Sequence, residues 1–362
     1  MCTKKIPSAK VGAKIVEWYS CILSSSYEEA TLLKHEVEQM LKRMEEDDKI
    51  LAYYSLVAYR HDNMMDGDNR SISLEEELNH VEKDMDQYLK YLYYFVSGQN
   101  EYNNQRYRSA VKLFRKAERM LEFVDDKTEE YEFYMYMGIA YYRINQYLLA
   151  TSYLEQAETG FRRLNFPKKY LNSKQVLGAI YSELKEYDKA EDILNEALQE
   201  CTFPLYSGII LRTLGLSMFS QKKYDSAVSF FEKSLDLEEY NDSIFGMRSR
   251  TELAHTLFKL NKHEEAQKIL KGAKASANYY NELEFKVRCQ FIEGTYVCND
   301  QKMVDNAIQQ LNKAGLHFEV CELSEELIEI YEEKGDNKNI IKYFKSAYQG
   351  KINQTLLGDD QV

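Results

Sequence analysis

Four consecutive carboxylates, Glu45, Glu46, Asp47 and Asp48, are the densest group of chemistry-bearing side chains in the chain. On a helix, neighbouring residues point in different directions, so four in a row cannot close on one divalent ion. They read instead as the solvated N-terminus of a helix, where negative charge is favourable, or as a charged surface that docks a basic patch on a partner. The cysteines at 2, 21, 201, 289, 298 and 321 include no C-x-x-C pair, and the six histidines are equally scattered, with no H-E-x-x-H. Zinc and redox work are therefore not expected, and neither a metal nor a cofactor is called for. No strand–glycine loop–helix unit, nucleophile elbow or phosphate-binding lysine is visible. One acid stands out by its setting: Glu183 lies in LGAIYSELKEYDKAEDILNEAL, between small residues set at helical spacing.

Aligned on those small residues, Gly138, Gly178, Gly215 and Ala254 recur every 37 to 40 positions. Three positions on stand Tyr141, Tyr181, Met218 and Leu257, and nine further Ala150, Ala190, Ala227 and Ala266. This is a tetratricopeptide-like period lengthened by a few loop residues. Gly178 and Ala190 are expected where two antiparallel helices cross, because larger side chains would hold the axes beyond the 8–10 Å of close packing. Weaker copies lie on both sides, and the count comes to seven helix pairs. A pair cannot bury its apolar face alone, so neighbours must stack into a right-handed superhelix with a concave wall.

The totals agree with an all-α chain. Only 3 prolines and 15 glycines occur in 362 residues, too few for a turn-rich sandwich or a glycine-loop dinucleotide fold. The formal net charge of −12 argues against direct nucleic-acid binding, which needs a basic face. No window reaches the roughly 20 apolar residues of a membrane span, and the N-terminal stretch reads as neither signal nor anchor, so a cytoplasmic protein without membrane contact is expected.

Before about residue 70 the repeat register is missing. Three amphipathic segments there predict a three-helix bundle over 1–68. A hinge and linker helix over 69–92 follow, with DGDNRSIS as the hinge candidate and Ser73 with Glu76 as a capping box. Repeats fill 93–350, and 351–362 is a tail. The first helix of each pair lines the concave wall, which places Tyr142 and Arg143, Gln175, Ser182 and Glu183, Arg212, Thr213 and Phe219, and Thr251, His255 and Phe258 on it. Amide, hydroxyl, acid and aromatic side chains together suit an extended peptide, whose backbone needs polar partners and whose side chains need pockets.

The stretches KIVEWYSCI, EVEQMLKRMEEDDKILAYYSLVAYRHDNMM and YRSAVKLFRKAERML resemble segments of the Rap family, the response-regulator aspartate phosphatases and related peptide receptors of sporulating Gram-positive bacteria. The resemblance covers essentially the whole chain. It implies a regulator whose N-terminal bundle binds a response regulator or a transcription factor's DNA-binding output domain, here through Glu45, Glu46, Asp47, Tyr54 and Arg60. It also implies a short secreted peptide, Phr, that binds the repeat groove, closes the superhelix and releases the target. Two departures matter. Phosphatase members carry a glutamine directly after M-E-E-D, where this chain has Asp48; a carboxylate lacks the amide donor and repels phosphoryl oxygens, which disfavours in-line attack by water. In the groove, the family's acid that pairs with a peptide arginine falls on Glu183, the asparagine that clamps peptide backbone falls on Thr213, and another polar position falls on Ile180. Inhibition by occlusion is the expected mechanism. Aspartyl-phosphate hydrolysis, control of a mobile-element or phage programme through another protein, and a generic scaffold are the alternatives.

Overall fold

The computed structural model describes residues 5–66 and 86–355. The hinge candidate and the Ser73–Glu76 capping box lie outside them. Three helices come first: α1 (Ser8–Leu23), α2 (Tyr27–Leu41) and α3 (Asp48–Asp66). The apolar face of α1, with Val11, Ile15, Trp18 and Ile22 at helical spacing, is buried against Ala30 and Val37 of α2 and Leu56 and Val57 of α3. A single parallel bridge between Ile6 and Met44 ties the start of the chain to the loop after α2. That loop holds Glu45 and Glu46, and Asp47 caps α3 by accepting from the amides of Lys49 and Ile50 at 3.1 and 3.3 Å. The acidic run is thus a loop and a cap with one helical residue, Asp48, rather than four residues of one helix.

Seven helix pairs follow among the described residues: α4 (Gln87–Asn103) with α5 (Tyr107–Glu118), α6 (Lys127–Arg143) with α7 (Tyr147–Arg163), and α8 (Pro167–Glu183) with α9 (Tyr187–Glu200). Then come α10 (Pro204–Ser220) with α11 (Tyr224–Leu235) and, after the short α12 (Glu238–Asn241), α13 (Ile244–Lys259) with α14 (His263–Tyr279). The last two are α15 (Leu283–Ile292) with α16 (Gln301–Lys313), and α17 (His317–Glu333) with α18 (Asn337–Thr355). The helix opening at Gln87 takes in residues assigned above to a linker, and α18 takes in the first residues of the expected tail.

The small residues sit where the spacing puts them. A Cβ on Gly178 would lie 2.5 Å from Leu194 Cγ, and one on Gly215 would lie 2.6 Å from Phe231 Cε1. The space a side chain would need is already filled by the partner helix. Turns between paired helices repeat one device. At α8–α9, Lys185 adopts φ +61°, its amide bonds to the Ser182 carbonyl at 3.0 Å, and the Glu186 amide reaches back to Tyr181 at 2.9 Å. This pattern satisfies the terminal carbonyls of the first helix and reverses the chain.

The chain divides into two compact units, and the division runs through α6. Unit 1 extends to Ala140 and includes Arg163–Phe166; unit 2 holds Tyr141–Arg162 and everything from Pro167. The front bundle therefore shares its unit with the first repeat pair instead of ending at residue 68. In unit 2 a core cluster runs from Met218 and Phe231 through Leu257 and Phe291 to Leu327 and Tyr343, and Met247, Ala277 and Phe285 form a smaller separate one.

Candidate functional site

In unit 2 the first helices of successive pairs face α17, whose acids carry the local electrostatics. Glu319, Glu322, Glu326 and Glu329 recur every three or four residues along one side of that helix, and each meets a cation from a different part of the stack. Arg143 bonds to Glu319 at 2.9 Å, Arg288 to Glu322 at 2.5 Å, and Lys222 to Glu329 at 3.1 Å. Glu326 is shared by His255 at 2.9 Å and Lys259 at 2.7 Å, and the Tyr296 hydroxyl donates to it as well. Burial opposes ionisation of Glu326, but His255 and Lys259 outweigh it and hold the carboxyl below its usual range.

Glu183 differs from every acid in that row. It sits at the end of α8, remains exposed, and has no ion-pair partner among the described residues. The surrounding protein desolvates its carboxylate, and Glu322 and Glu325 add like charge, so the carboxyl is pushed up to about 7. The Tyr142 hydroxyl close by is raised well above its usual range, by desolvation first and by the Glu183 charge second. Accessible yet poorly hydrated, and without a cation, this carboxylate is arranged to receive a positively charged group with two donors.

The remaining wall residues divide. Phe219 and His255 come together with ring centroids 5.3 Å apart, and Arg212 reaches Glu252 at 3.4 Å. Thr213 is buried; its hydroxyl accepts from Gln175 Nε2 at 2.6 Å and donates to the Ile209 carbonyl at 3.0 Å, so its single proton is committed to its own helix. Ser182 and His255 are buried too. Phe258 is not an open wall residue: it is 1% exposed because the Tyr296 ring stacks over it at 5.4 Å.

In unit 1, Asp48, Glu45 and Glu46 are exposed, and the Tyr54 hydroxyl lies 3.5 Å from Glu38. Arg60, expected on the regulator-binding surface, is buried. Its guanidinium pairs with Glu132 and donates to the Tyr19 hydroxyl, which in turn donates to Glu129 at 2.6 Å. A guanidinium removed from water needs such partners, and here they come from α1 and α6.

Sequence reasoning missed the acidic row on α17. The spacing of Glu319, Glu322, Glu326 and Glu329 was the available signal, since residues three and four apart share a helix face. Among the described residues no group of three or more histidine, cysteine or acidic side chains is placed to hold a metal ion, and no helix is long and apolar enough to cross a membrane.

These features define a class, a helical bundle joined to tetratricopeptide repeats that present a polar and aromatic wall. Residues 129–199 match the tetratricopeptide repeat model, and residues 5–66 match the model of the N-terminal part of response regulator aspartate phosphatase H. Regulatory protein RapG of Bacillus subtilis (strain 168) is 30% identical over 72% of this chain and 73% of its own length. The chain belongs to the Rap family. The solved structure of a Rap protein complexed with competence and sporulation factor superposes with a TM-score of 0.90 at 21% identity, over 97% of this chain and 100% of that one. A Rhodococcus hoagii protein named type II methyltransferase M.CeqI is 35% identical over 98% of this chain and 70% of its own length.

Proposed function

We propose that this chain captures a response regulator, or its DNA-binding output domain, through the N-terminal bundle and inhibits it by occlusion, and that a short secreted peptide bound along the α8–α13 wall reverses the capture. The observation that carries the peptide reading is Glu183, exposed, without a cation, and between the charges of Glu322 and Glu325. An arginine of the peptide would supply the missing charge through two parallel hydrogen bonds. That anchor is insufficient by itself. Moving a two-state equilibrium from 99:1 to 1:99 takes about 5.5 kcal/mol, and a charged hydrogen bond contributes roughly 1.5–3 kcal/mol. The aromatic surfaces of Tyr142 and Phe219 and the carboxamide of Gln175 are the candidates for the rest.

Occlusion is favoured over hydrolysis by the residue at position 48. Asp48 is an exposed carboxylate at the first turn of α3, and it would face a phosphoryl group with like charge and no amide donor. Pull-down of a panel of receiver and output domains, with and without arginine-containing pentapeptides and hexapeptides, tests the reading. Glu183→Ala retains capture and loses the peptide response; an unchanged peptide response rejects the anchor. Catalytic loss of label from a phosphorylated receiver by the unaltered protein would overturn occlusion in favour of hydrolysis.

A further inference from the structure

Unit 1 contains a cavity of about 650 Å³, of whose lining the regulator reading uses only Asp47 and the peptide reading nothing. Its walls are aromatic: Tyr19, Tyr53, Tyr88 and Phe123 line it, with Tyr53 packed edge-on to Tyr19 at 6.4 Å and to Tyr88 at 6.3 Å. At its base lies Glu129, 1% exposed, accepting from the Tyr19 hydroxyl at 2.6 Å and the Tyr88 hydroxyl at 3.1 Å. Among the described residues no cation pairs directly with Glu129; the neighbouring Arg60 is engaged by Glu132 and reaches Glu129 only through the Tyr19 hydroxyl. Around the cavity are Asp47, Asp86, Asp125 and Asp126, against one ammonium among the described residues that line it, that of Lys49. Three of these aspartates cap helices, since Asp86 accepts from the Leu89 amide and Asp126 from the Thr128 amide, as Asp47 does at α3. Each helix N-terminus offsets about half a charge, which leaves the lining strongly negative.

We propose that this cavity binds an aliphatic diamine or polyamine, with one ammonium against Glu129 and a second among the aspartates at the mouth. Three features select that class. The buried carboxylate and the exposed ones lie at two depths, which fits two cationic centres joined by an apolar stem. Tyrosine and phenylalanine faces attract ammonium groups and pack against methylenes, but they do not ligate a hard metal ion, which takes oxygen donors on all sides. The volume lies within the usual range for small-molecule sites. Burial pushes the Glu129 carboxyl up to about 7 despite the Tyr19 and Tyr88 hydroxyls and the Arg60 charge, which pull it down, and a bound ammonium would favour the ionised form further.

Calorimetric titration of the full chain with spermidine and 1,4-diaminobutane tests the site, with n-butylamine and magnesium as comparators. The expected result is saturable binding of spermidine, one per chain, at least tenfold tighter than n-butylamine and not displaced by millimolar magnesium. Glu129→Gln, which keeps an acceptor for one tyrosine and offers the other an N–H donor, weakens it at least tenfold. Should that variant fail to fold, Asp125→Asn on the exposed rim reads the second ammonium instead, and spermidine affinity falls to that of n-butylamine. Equal spermidine affinity in the folded variants, or displacement by magnesium at matched charge, would overturn the assignment and leave only a diffuse acidic surface.

Discussion

Replacing Glu183 by glutamine separates stability from recognition at a single position. In the folded chain this carboxyl is held at about 7 against an ordinary 4.5, so the native state binds protons that the unfolded chain releases between those values. Stability contributed here is therefore full below about pH 4.5, falls as pH rises through 7, and stays low above it. The rise corresponds to at most ~3.4 kcal/mol at 1.36 kcal/mol per pH unit. Glu183 is exposed, so water and salt screen the repulsion from Glu322 and Glu325, and a penalty of ~1 kcal/mol is the working figure. Glutamine mimics the protonated acid. Urea denaturation should find Glu183→Gln about 1 kcal/mol more stable than the unaltered chain at pH 8 and equal to it at about pH 3.5, below the ordinary carboxyl value. The same variant should lose affinity for an arginine-containing peptide, whereas the unaltered chain should bind such a peptide more tightly as pH rises from 6 to 8. An equal stability difference at both pH values, or a less stable variant at pH 8, would refute the account of Glu183 as a desolvated, unpaired carboxylate.

Glu326→Ala leaves His255 and Lys259 without their shared partner and should cost ~3 kcal/mol in chemical denaturation, in the range for breaking a buried ion pair; a loss below 1 kcal/mol would mean that water compensates both. Gly178→Ala pushes a methyl group to 2.5 Å from Leu194 and should destabilise by ~1–3 kcal/mol, with Leu194→Ala restoring part of that loss in a double-mutant cycle.

The repeat architecture was legible because its cause is local and recurrent. Gly178 and Gly215 are small for a reason that returns every 37 to 40 residues, and the structure puts Leu194 and Phe231 in the space they leave. The register also placed Glu183 on the accessible side of its helix. What it could not supply was how distant segments meet. Arg60 reads as a surface cation beside a polar motif, yet Glu132, 72 positions on, takes it into the core. Phe258 shares the face of its helix with wall residues in the repeat alignment, but Tyr296, from the irregular turn after α15, covers it. The α17 acids were visible as a stripe, but their cationic partners lie between 34 and 176 residues away, a distance at which periodicity carries no information.

Repeat arrays ordinarily behave as chains of links, each stabilised by its immediate neighbours and able to melt from either end. The row of acids on α17 breaks that rule in unit 2. Because it engages Arg143, Lys222, His255, Lys259 and Arg288, fraying of the last pair strips counter-charges from sites spread along the whole unit. Unit 2 should therefore fray less independently than a plain repeat array, and a nick before His317 should loosen the pairing of residues as far back as Arg143.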